Sequence, residues 1–417
     1  MAKKTPLRTR FAPSPTGPFH VGSLRTALFN YLLAKQAGGS FILRIEDTDR
    51  ERSKKEYEME IFKTLEWTGF TPDEGPVEGG NYGPYRQSER TEIYRTYLQQ
   101  LLKEKKAYYC FCTAEELEAQ KQDQASRGEA PRYTGKCRSL SGEAVEKNLK
   151  EEKASAIRFS VAAKTITFQD LIRDKISFDV GLIGDIVIAK DLDTPLYNFT
   201  VVVDDHEMQI THVVRGEDHI SNTPKQILLQ EALGLRKLEY AHLPLLLGAD
   251  RAKLSKRHGR NSIKELLEDG YLPEAMINFL ALLGWNPGND REIFSLEELI
   301  KEFSLDRVQK GGAIFNIQKL NSINAYYLKK KSLVELTRLA AQYLPEITPQ
   351  IVRLYQERLS TISEITQLAD FFFQEKLEYP KEQLQWKNAT DEETREELQR
   401  LEIILSEFKE GESASPD

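Results

Sequence analysis

The chain has 417 residues, of which 40% are hydrophobic and 29% are charged; because a single core stops growing at about 250 to 300 residues, this predicts several folded domains and excludes a largely disordered chain. Its formal net charge of −7 gives no overall basic signature, so a nucleic-acid partner would have to meet a local basic track. No apolar run reaches the roughly 18 residues that cross a bilayer, and the N-terminus lacks the apolar core of a signal peptide, so we expect a cytosolic protein without membrane contact.

The N-terminal segment has the pattern of a strand, a helix and a second strand. Residues 7–12 predict a short strand, and leucines that recur every four residues after His20 predict a helix. Gly38 ends that helix, and the apolar run FILRIED at 41–47 predicts the second strand. Two parallel strands around a helix form a βαβ unit, which is right-handed by default.

Between about residues 110 and 210 the pattern changes to short β-type runs joined by polar turns, which predicts an inserted sheet-rich domain. The runs are AIRFSV, TITFQDLI, KISFDV, DIVIAK and YNFTVVVDD. A predicted helix at about 222–233 and the apolar stretch at 242–248 then return to α/β character and complete the first unit. From about residue 262 onward the pattern is helical, which predicts helical bundles.

The loop before the first helix has the composition of an anion-binding site. Unpaired N–H groups and the helix dipole favour phosphate at a helix N-terminus, and His20 lies there. The prolines of PSPTGP stiffen the loop, and Gly22 leaves room for a base or ribose close to the backbone. Taken alone, such a loop is also consistent with an ordinary turn before a helix.

A second candidate phosphate site is the cluster Lys-Leu-Ser-Lys-Arg at 253–257, which is dense positive charge on an acidic chain. Lys253 and Lys256 suit the phosphates of a nucleoside triphosphate and the charge that develops as pyrophosphate leaves. Ser255 adds a hydroxyl donor. The alternative for an isolated charge run is a solvated basic loop.

Together and in this order, the two segments resemble the two signatures of class I aminoacyl-tRNA synthetases. RFAPSPTGPFHVG resembles the first signature in the form used by bacterial glutamyl-tRNA synthetases, and KLSKR resembles the second. Ser23 stands where many class I enzymes have a second histidine. Residues 12–15 read Ala-Pro-Ser-Pro, whereas glutaminyl enzymes and archaeal or eukaryotic glutamyl enzymes usually carry Pro-Pro-Glu-Pro. The resemblance extends through RIEDTD (44–49), YRQSER (85–90), PLYNFTVVVDDH (195–206) and RGEDH (215–219).

Glutamate has two carboxylates and an ammonium group, so its pocket needs guanidinium groups and a carboxylate. Arg10, Glu46 and Arg215 meet that need, and each follows a predicted strand at the edge where α/β sheets bind ligands. A lone arginine is more often a surface ion-pair residue, so their motif settings matter. The resemblance implies that Arg10, Ser14 and Arg215 hold carboxylates, Glu46 holds the ammonium group and Tyr197 supplies a hydroxyl. It places these residues beside ATP: His20, Gly22, Asp218, His219, Lys256 and Arg257.

The three cysteines, Cys110, Cys112 and Cys137, lie close together in the predicted insertion. Zinc binds four ligands in a tetrahedral arrangement, so three thiolates leave one position open. Incidental buried thiols are the alternative, but they do not predict a Cys-x-Cys pair with a third cysteine nearby. Zinc-bearing members of the family have a tyrosine before the last cysteine, so the resemblance implies Tyr133 as the fourth ligand of a structural Zn²⁺.

The resemblance implies an α/β Rossmann-type catalytic domain with a β-rich insertion, followed by all-α helical bundles. The catalytic domain is expected in two parts, 1–92 and 203–250, around an acceptor-stem-binding insertion at 93–202. The second signature and a stem-contacting helical domain would occupy 251–332. A shortened helical anticodon-binding domain would occupy 333–417.

The implied activity is that of an ATP-dependent ligase that forms glutamyl-adenylate and transfers glutamate to the terminal ribose of tRNA(Glu). Mg²⁺ would act with the two lysines on the phosphates, and no protein nucleophile is needed. A monomer is expected, and charging of tRNA(Gln) is left open because the anticodon-binding helices match the family only loosely. The alternatives are a tRNA-modifying relative that activates glutamate without tRNA, disfavoured by the long chain after Arg257, and a silent tRNA-binding module, disfavoured by intact His20 and Lys253.

Overall fold

The computed structural model describes residues 6–254, 262–376, 380, 383–385 and 389–407. Its strands are β1 Arg8–Phe11, β2 Ser40–Leu43, β3 Ala107–Cys110, β4 Ala156–Phe159, β5 Thr165–Asp170, β6 Asp174–Asp179, β7 Ile186–Ala189, β8 His212–Gly216, β9 Glu239–Leu243, β10 Leu246–Leu247 and β11 Ala313–Ile314. Its N-terminal helices are α1 Val21–Gln36, α2 Lys55–Thr68, α3 Thr91–Lys103, α4 Ala114–Ser126, α5 Gly142–Lys150, α6 Tyr197–Glu207 and α7 Thr223–Leu233. The later helices are α8 Ile263–Glu268, α9 Pro273–Leu282, α10 Leu296–Glu302, α11 Ile317–Lys330, α12 Leu333–Ala340, α13 Pro349–Tyr355, α14 Glu364–Ala369 and α15 Asp391–Glu407. None of the helices in this part of the chain is both long enough and apolar enough to span a membrane.

The main sheet has six strands in the order β2-β1-β8-β9-β5-β6. Strand β1 runs parallel to both β2 and β8, and β8 runs parallel to β9. Because α1 connects β1 to β2, the predicted βαβ unit is confirmed. The carboxyl ends of the parallel strands therefore meet at one edge, where this class of sheet binds its ligands.

Helix α1 is the centre of the core because it is buried on nearly all sides. It packs on β1 and β2 and also contacts α9 and α10, and Val21, Leu24 and Leu28 are fully buried. One continuous apolar cluster runs from the main sheet through α9 and α11 into α12–α14. The helical C-terminal part is therefore joined to the α/β part by shared core packing.

The segment YNFTVVVDD, predicted as a strand, is helix α6 instead. Its three consecutive valines at 201–203 are all buried, in a second apolar cluster together with residues of α3, α7 and the three-stranded sheet β3-β4-β7. A helix that is covered on all sides loses the 3.6-residue pattern, so a β-branched run within it looks like a strand. The strand prediction was therefore wrong because tertiary burial overrides local propensity.

Two elements within the predicted insertion at 93–202 belong with the main sheet. Strands β5 and β6 form an antiparallel hairpin, and β5 pairs in parallel with β9. Helix α6 also crosses the predicted limit at 202/203. The insertion thus supplies both the small antiparallel sheet β3-β4-β7 and the outer hairpin of the main sheet, and its exact limits stay a prediction.

The predicted fold class is confirmed. From α8 onward the described chain is helical apart from the short strand β11, which pairs in parallel with β10. Ser262, Ser295 and Ser332 begin α8, α10 and α12 with capping boxes, in which the serine and the third helical residue satisfy each other's backbone N–H groups. These caps agree with the helical pattern that the amphipathic segments predict for this part of the chain.

Candidate active site

A cleft with a cavity volume of about 2020 Å³ opens at the carboxyl edge of the main sheet. Its walls come from the loops that follow β1, β2, β8 and β9 and from the N-termini of α1 and α6. The sequence-predicted residues that line it are Arg10, Ser14, His20, Gly22, Glu46, Tyr197, Arg215, Asp218, His219 and Lys253. The predicted residues Ser255, Lys256 and Arg257 lie outside the described residues.

Arg10, at the end of β1, is fixed by a buried carboxylate. Its Nε donates to Asp205 Oδ1 over 3.1 Å, and Arg44 Nη1 donates to the same oxygen over 2.7 Å. Burial would raise the pKa of Asp205, but the charges of Arg10 and Arg44 overcome this and hold that pKa below its ordinary value. Asp205 is therefore ionised and holds the Arg10 guanidinium at the cleft, where only 4% of the residue is exposed.

Glu46, just beyond β2, is the buried acid of the cleft. Its Oε1 accepts from Arg44 Nη2 over 3.0 Å. Burial raises the pKa of Glu46, although the charges of Arg44 and Arg10 oppose that rise. A carboxylate has about four acceptor sites, so Glu46 keeps acceptor capacity for an ammonium group.

Tyr197 and His219 form a hydrogen-bonded pair at the same edge, with 2.9 Å between the tyrosine hydroxyl and His219 Nδ1. Burial raises the pKa of Tyr197. Burial, followed by the charge of Arg215, lowers the pKa of His219 to about 4. Both side chains are thus neutral near pH 7 and can serve as hydrogen-bond partners for a ligand.

Arg215, at the end of β8, has an unused donor although only 5% of the residue is exposed. Its Nη2 donates to Thr223 Oγ1 over 2.8 Å and its Nε donates to His242 Nε2 over 3.3 Å. Its Nη1 is buried and has no hydrogen-bond partner. Leaving a buried charged donor unsatisfied is unfavourable, so this geometry fits a guanidinium that awaits an anionic ligand.

His20 caps α1 and presents a neutral imidazole. Its Nδ1 accepts from Ser23 N over 3.3 Å, which leaves the ring proton on Nε2. Burial, and then the charge of Lys253, lower the pKa of His20. A Cβ added at Gly22 would lie only 3.2 Å from His20 Nδ1, so the glycine is what allows this close approach.

Lys253 lies at the rim of the cleft. Its Nζ is 3.5 Å from Asp218 Oδ2, and its side chain is 64% exposed. An exposed ion pair of this kind contributes at most about 1 kcal/mol, so it does not hold the lysine tightly. Lys253 is therefore free to exchange Asp218 for a phosphate group.

Sequence analysis did not single out the buried charges that support these residues. Arg44 is fully buried, and besides Asp205 and Glu46 it approaches Asp204, with 3.7 Å between Nε and Oδ2. Asp204 also accepts from Arg90 Nε over 2.7 Å. The sequence does contain a signal, since charged residues stand next to apolar runs in RIED and again in VVVDD. The periodic pattern alone cannot tell whether such a charged residue is buried or solvated.

The three cysteines and Tyr133 come together beside β3. The three Sγ atoms lie within 4.8 Å of one another. The Tyr133 hydroxyl is 3.4 Å from Cys110 Sγ and 3.5 Å from Cys112 Sγ, while Arg158 stacks on the Tyr133 ring with its Cζ 3.9 Å from the centroid. Three cysteine sulfurs and one tyrosine oxygen grouped in this way fit a tetrahedral Zn²⁺ site.

Comparisons with known proteins identify the family of the chain. Residues 6–322 match the family model of class I tRNA synthetases (E and Q), catalytic domain, and residues 331–415 match an anticodon binding domain. The chain is 48% identical to the glutamate–tRNA ligase of Carboxydothermus hydrogenoformans, over 96% of this chain and 86% of that protein. It is 53% identical to the glutamate–tRNA ligase of Natranaerobius thermophilus, over 81% of this chain and 69% of that protein. It also resembles the crystal structure of a glutamate tRNA ligase from Elizabethkingia meningosepticum in complex with its amino acid, with a TM-score of 0.85 and 39% identity over 97% of this chain and 87% of that one.

Proposed function

Since this chain belongs to the class I tRNA synthetases for glutamate and glutamine, we propose that it is a glutamate–tRNA ligase that joins L-glutamate to tRNA(Glu) with ATP. The observation that carries the choice of amino acid is the pair of buried guanidiniums of Arg10 and Arg215 facing one cleft with the carboxylate of Glu46. Two cations and one anion match the two carboxylates and one ammonium group of glutamate. The enzyme is proposed to act as a monomer in the cytoplasm.

We assign the glutamate contacts residue by residue. Arg10, with Ser14 from the same loop, and Arg215 receive the two carboxylates. Glu46 receives the ammonium group, because its remaining acceptor capacity faces the cleft. The Tyr197 hydroxyl, which His219 orients, completes the amino-acid pocket.

ATP is assigned to the part of the cleft between the two signatures. His20 is assigned to the phosphates, with its Nε2 3.3 Å from the Ser23 hydroxyl oxygen, and the N-terminus of α1 adds backbone donors and the positive end of the helix dipole. Gly22 leaves room for the nucleoside, and Asp218 and His219 lie beside it. Lys253 contributes positive charge at the rim. The family resemblance assigns further positive charge to Lys256 and Arg257 and a hydroxyl donor to Ser255, which lie outside the described residues.

A Mg²⁺ ion bound to the ATP phosphates would add charge neutralisation at this rim. Such ions take oxygen ligands and keep several waters, so one or two protein carboxylates suffice. Asp218 fits that requirement, because its carboxylate is half-exposed beside Lys253. The remaining phosphate charge is met by the chain's own donors.

The reaction follows from positioning and charge stabilisation. The α-carboxylate of glutamate attacks the α-phosphorus of ATP in line, forming glutamyl-adenylate and releasing pyrophosphate. The terminal ribose hydroxyl of tRNA then attacks the acyl carbonyl; AMP leaves with the electrons of the acyl–phosphate bond, and its phosphate oxygen takes up the hydroxyl proton. No side chain becomes covalently attached. The first step is proposed to need bound tRNA, as the family resemblance implies.

The proposal predicts ATP-dependent charging of purified tRNA(Glu) with labelled glutamate. Glutamine should be a poor substrate, because its amide leaves a guanidinium of the pocket without its anionic partner. Acid-precipitation assays with each amino acid, and with tRNA(Glu) and tRNA(Gln) separately, measure both choices. Pyrophosphate exchange with glutamate in the absence of tRNA would instead favour the tRNA-modifying relative, and absence of all charging would favour the silent module.

We further propose that Cys110, Cys112, Tyr133 and Cys137 hold a structural Zn²⁺ ion. The site lies beside β3, outside the cleft, so the ion would anchor the 133–137 loop to the sheet of the insertion. Hydrogen bonds from Tyr133, the Cys112 backbone and Arg158 lower the pKa of Cys110 despite its burial, whereas burial raises the pKa of Cys112 to about 11. Metal binding would therefore have to displace the Cys112 proton, as it does for thiol ligands generally.

Freshly purified, reduced protein should contain about one zinc ion per chain by elemental analysis. Cys137→Ser should lose the metal and lower the melting temperature by several degrees, because metal binding contributes to folding. Ser139→Ala, an exposed neighbour on the same loop, should retain the metal. Substoichiometric zinc in the reduced wild-type protein would contradict the assignment.

A further inference from the structure

Behind Arg215 lies a buried pair of groups, Asp170 and His242, that the glutamate contacts do not use. We propose that Asp170 is a positioning residue for glutamate recognition: acting through His242, it keeps that imidazole an acceptor for Arg215 and so aims the free edge of the guanidinium into the cleft. The proposal rests on the assignment of Arg215 to a glutamate carboxylate. Asp170 comes from the β5–β6 hairpin rather than from the strands that form the cleft edge.

Asp170 is a fully engaged carboxylate at the end of β5, where only 1% of the residue is exposed. Its Oδ1 accepts from the backbone N–H groups of Ile172 over 3.0 Å, Arg173 over 2.9 Å and His242 over 3.4 Å. Its Oδ2 lies 2.6 Å from His242 Nδ1. Burial alone would raise the pKa of Asp170, but these hydrogen bonds hold it below its ordinary value, so the group is an ionised acceptor.

The hydrogen bonds of His242 fix which nitrogen carries the proton. A guanidinium N–H can only donate, so His242 Nε2 must accept from Arg215 Nε, and it can also accept from the Thr223 hydroxyl at 3.0 Å. The proton therefore resides on Nδ1 and is donated to Asp170. Burial, and the charges of Arg215 and Arg173, keep the pKa of His242 low despite Asp170, so the ring is neutral.

Burial and hydrogen bonds on both ring nitrogens hold the imidazole in this orientation. His242 is fully buried, and its ring is nearly parallel to that of Tyr240, with 6° between the planes and 6.2 Å between the centroids. Phe168 approaches it with 6.3 Å between ring centroids. Because Nε2 is the nitrogen that faces Arg215, the tautomer of the ring decides whether Arg215 meets a lone pair or a proton.

Asp170→Asn reverses that tautomer while preserving shape. Oδ1 must remain an acceptor for three backbone N–H groups, so the new NH₂ group faces His242 Nδ1 and forces the ring proton to Nε2. That proton then opposes Arg215 Nε–H, and the guanidinium loses one of its two anchors. We expect the KM for glutamate to rise about tenfold, as loss of a hydrogen bond to a charged group implies, while kcat and the KM values for ATP and tRNA stay within twofold.

Asp174→Asn is the matched control. Asp174 lies in the same hairpin, is exposed, and has a φ of +64°, a conformation that asparagine also adopts readily. If both variants charge tRNA with the same KM for glutamate as the wild-type enzyme, the proposal is overturned. A loss confined to melting temperature or to the active fraction would also overturn it, because that is what a merely structural Asp170 predicts.

Two further measurements cover the remaining outcomes. If Asp170→Asn fails to fold, two variants of His242 replace it. His242→Gln can return an acceptor to Arg215 and should have a lower KM for glutamate than His242→Asn, which cannot. Equal KM values would overturn the proposal. ¹⁵N NMR of histidine-labelled full-length protein should show Nδ1-protonated His242 in the wild type and Nε2-protonated His242 in Asp170→Asn. This spectrum tests the Asp170–His242 hydrogen bond independently of charging activity. An unchanged tautomer in Asp170→Asn would overturn the proposal about Asp170. Failure of the wild-type enzyme to charge glutamate would separately refute the proposed function.

Discussion

Replacing Arg215 with alanine should lower kcat/KM for glutamate by roughly 100- to 1000-fold. Two charge-assisted hydrogen bonds to one carboxylate contribute about 3 to 4 kcal/mol together, and each 1.36 kcal/mol is a factor of about ten. Arg215 lines the cleft, and its buried Nη1 has no hydrogen-bond partner. Its loss leaves a substrate carboxylate in a buried pocket without that partner, whereas the KM for ATP should change less than twofold.

Initial-rate charging with varied glutamate, at saturating ATP and tRNA(Glu), measures this effect. Arg215→Lys should recover part of the activity, because it restores the charge without the two-pronged donor. The control is Arg236→Ala, whose guanidinium donates to a backbone carbonyl outside the cleft. A loss below fivefold for Arg215→Ala would refute its assignment as a carboxylate-binding residue.

Lys253→Met should reduce tRNA-dependent pyrophosphate exchange by roughly 100- to 1000-fold with little change in the KM for glutamate. A donor placed on charge that develops in the transition state contributes about 2.7 to 4 kcal/mol. Lys253 suits that role because its contact with Asp218 is exposed and weak, so the ammonium group is available to a phosphate. Methionine keeps the length of the side chain but not its charge.

Exchange of labelled pyrophosphate into ATP, with glutamate and tRNA(Glu) present, follows the first step directly. Lys121→Met, an exposed lysine paired with Glu118 on α4, should behave as the wild-type enzyme. Exchange by Lys253→Met within twofold of the parent would mean that the second signature handles the phosphates without this residue.

The fold could be predicted wherever local pattern and burial agree. The strand–helix–strand unit at the N-terminus was identified because its turns contain glycine and proline and its helix has a regular apolar repeat. The sequence predicts a strand where helix α6 forms, because a helix buried on every side shows no 3.6-residue apolar repeat. The pairing of β5 with β9 could not be predicted, since local sequence does not specify which distant strand an edge will meet.

In the candidate site, too, residues at strand ends could be predicted from local sequence, whereas their distant hydrogen-bond partners could not. Arg10, Glu46 and Arg215 could be placed together because parallel strands end at one edge of a sheet. The groups that support them could not: Asp205 lies 195 residues from Arg10, and Asp170 lies 72 residues from His242. Their roles arise only from tertiary hydrogen bonds between buried charges.

The β5–β6 hairpin also determines which backbone the main sheet presents to solvent. The hairpin meets β9 near one end, where Asp170 pairs with Tyr240, and there it covers part of a strand with buried side chains whose free peptide groups would otherwise be a template on which other chains can aggregate. The actual edge is β6, which carries Asp174, Lys175 and Asp179 and is largely exposed. Charged, exposed edges resist pairing with other chains, so a shortened catalytic fragment intended for engineering should retain residues 165–179 for colloidal stability as well as for activity.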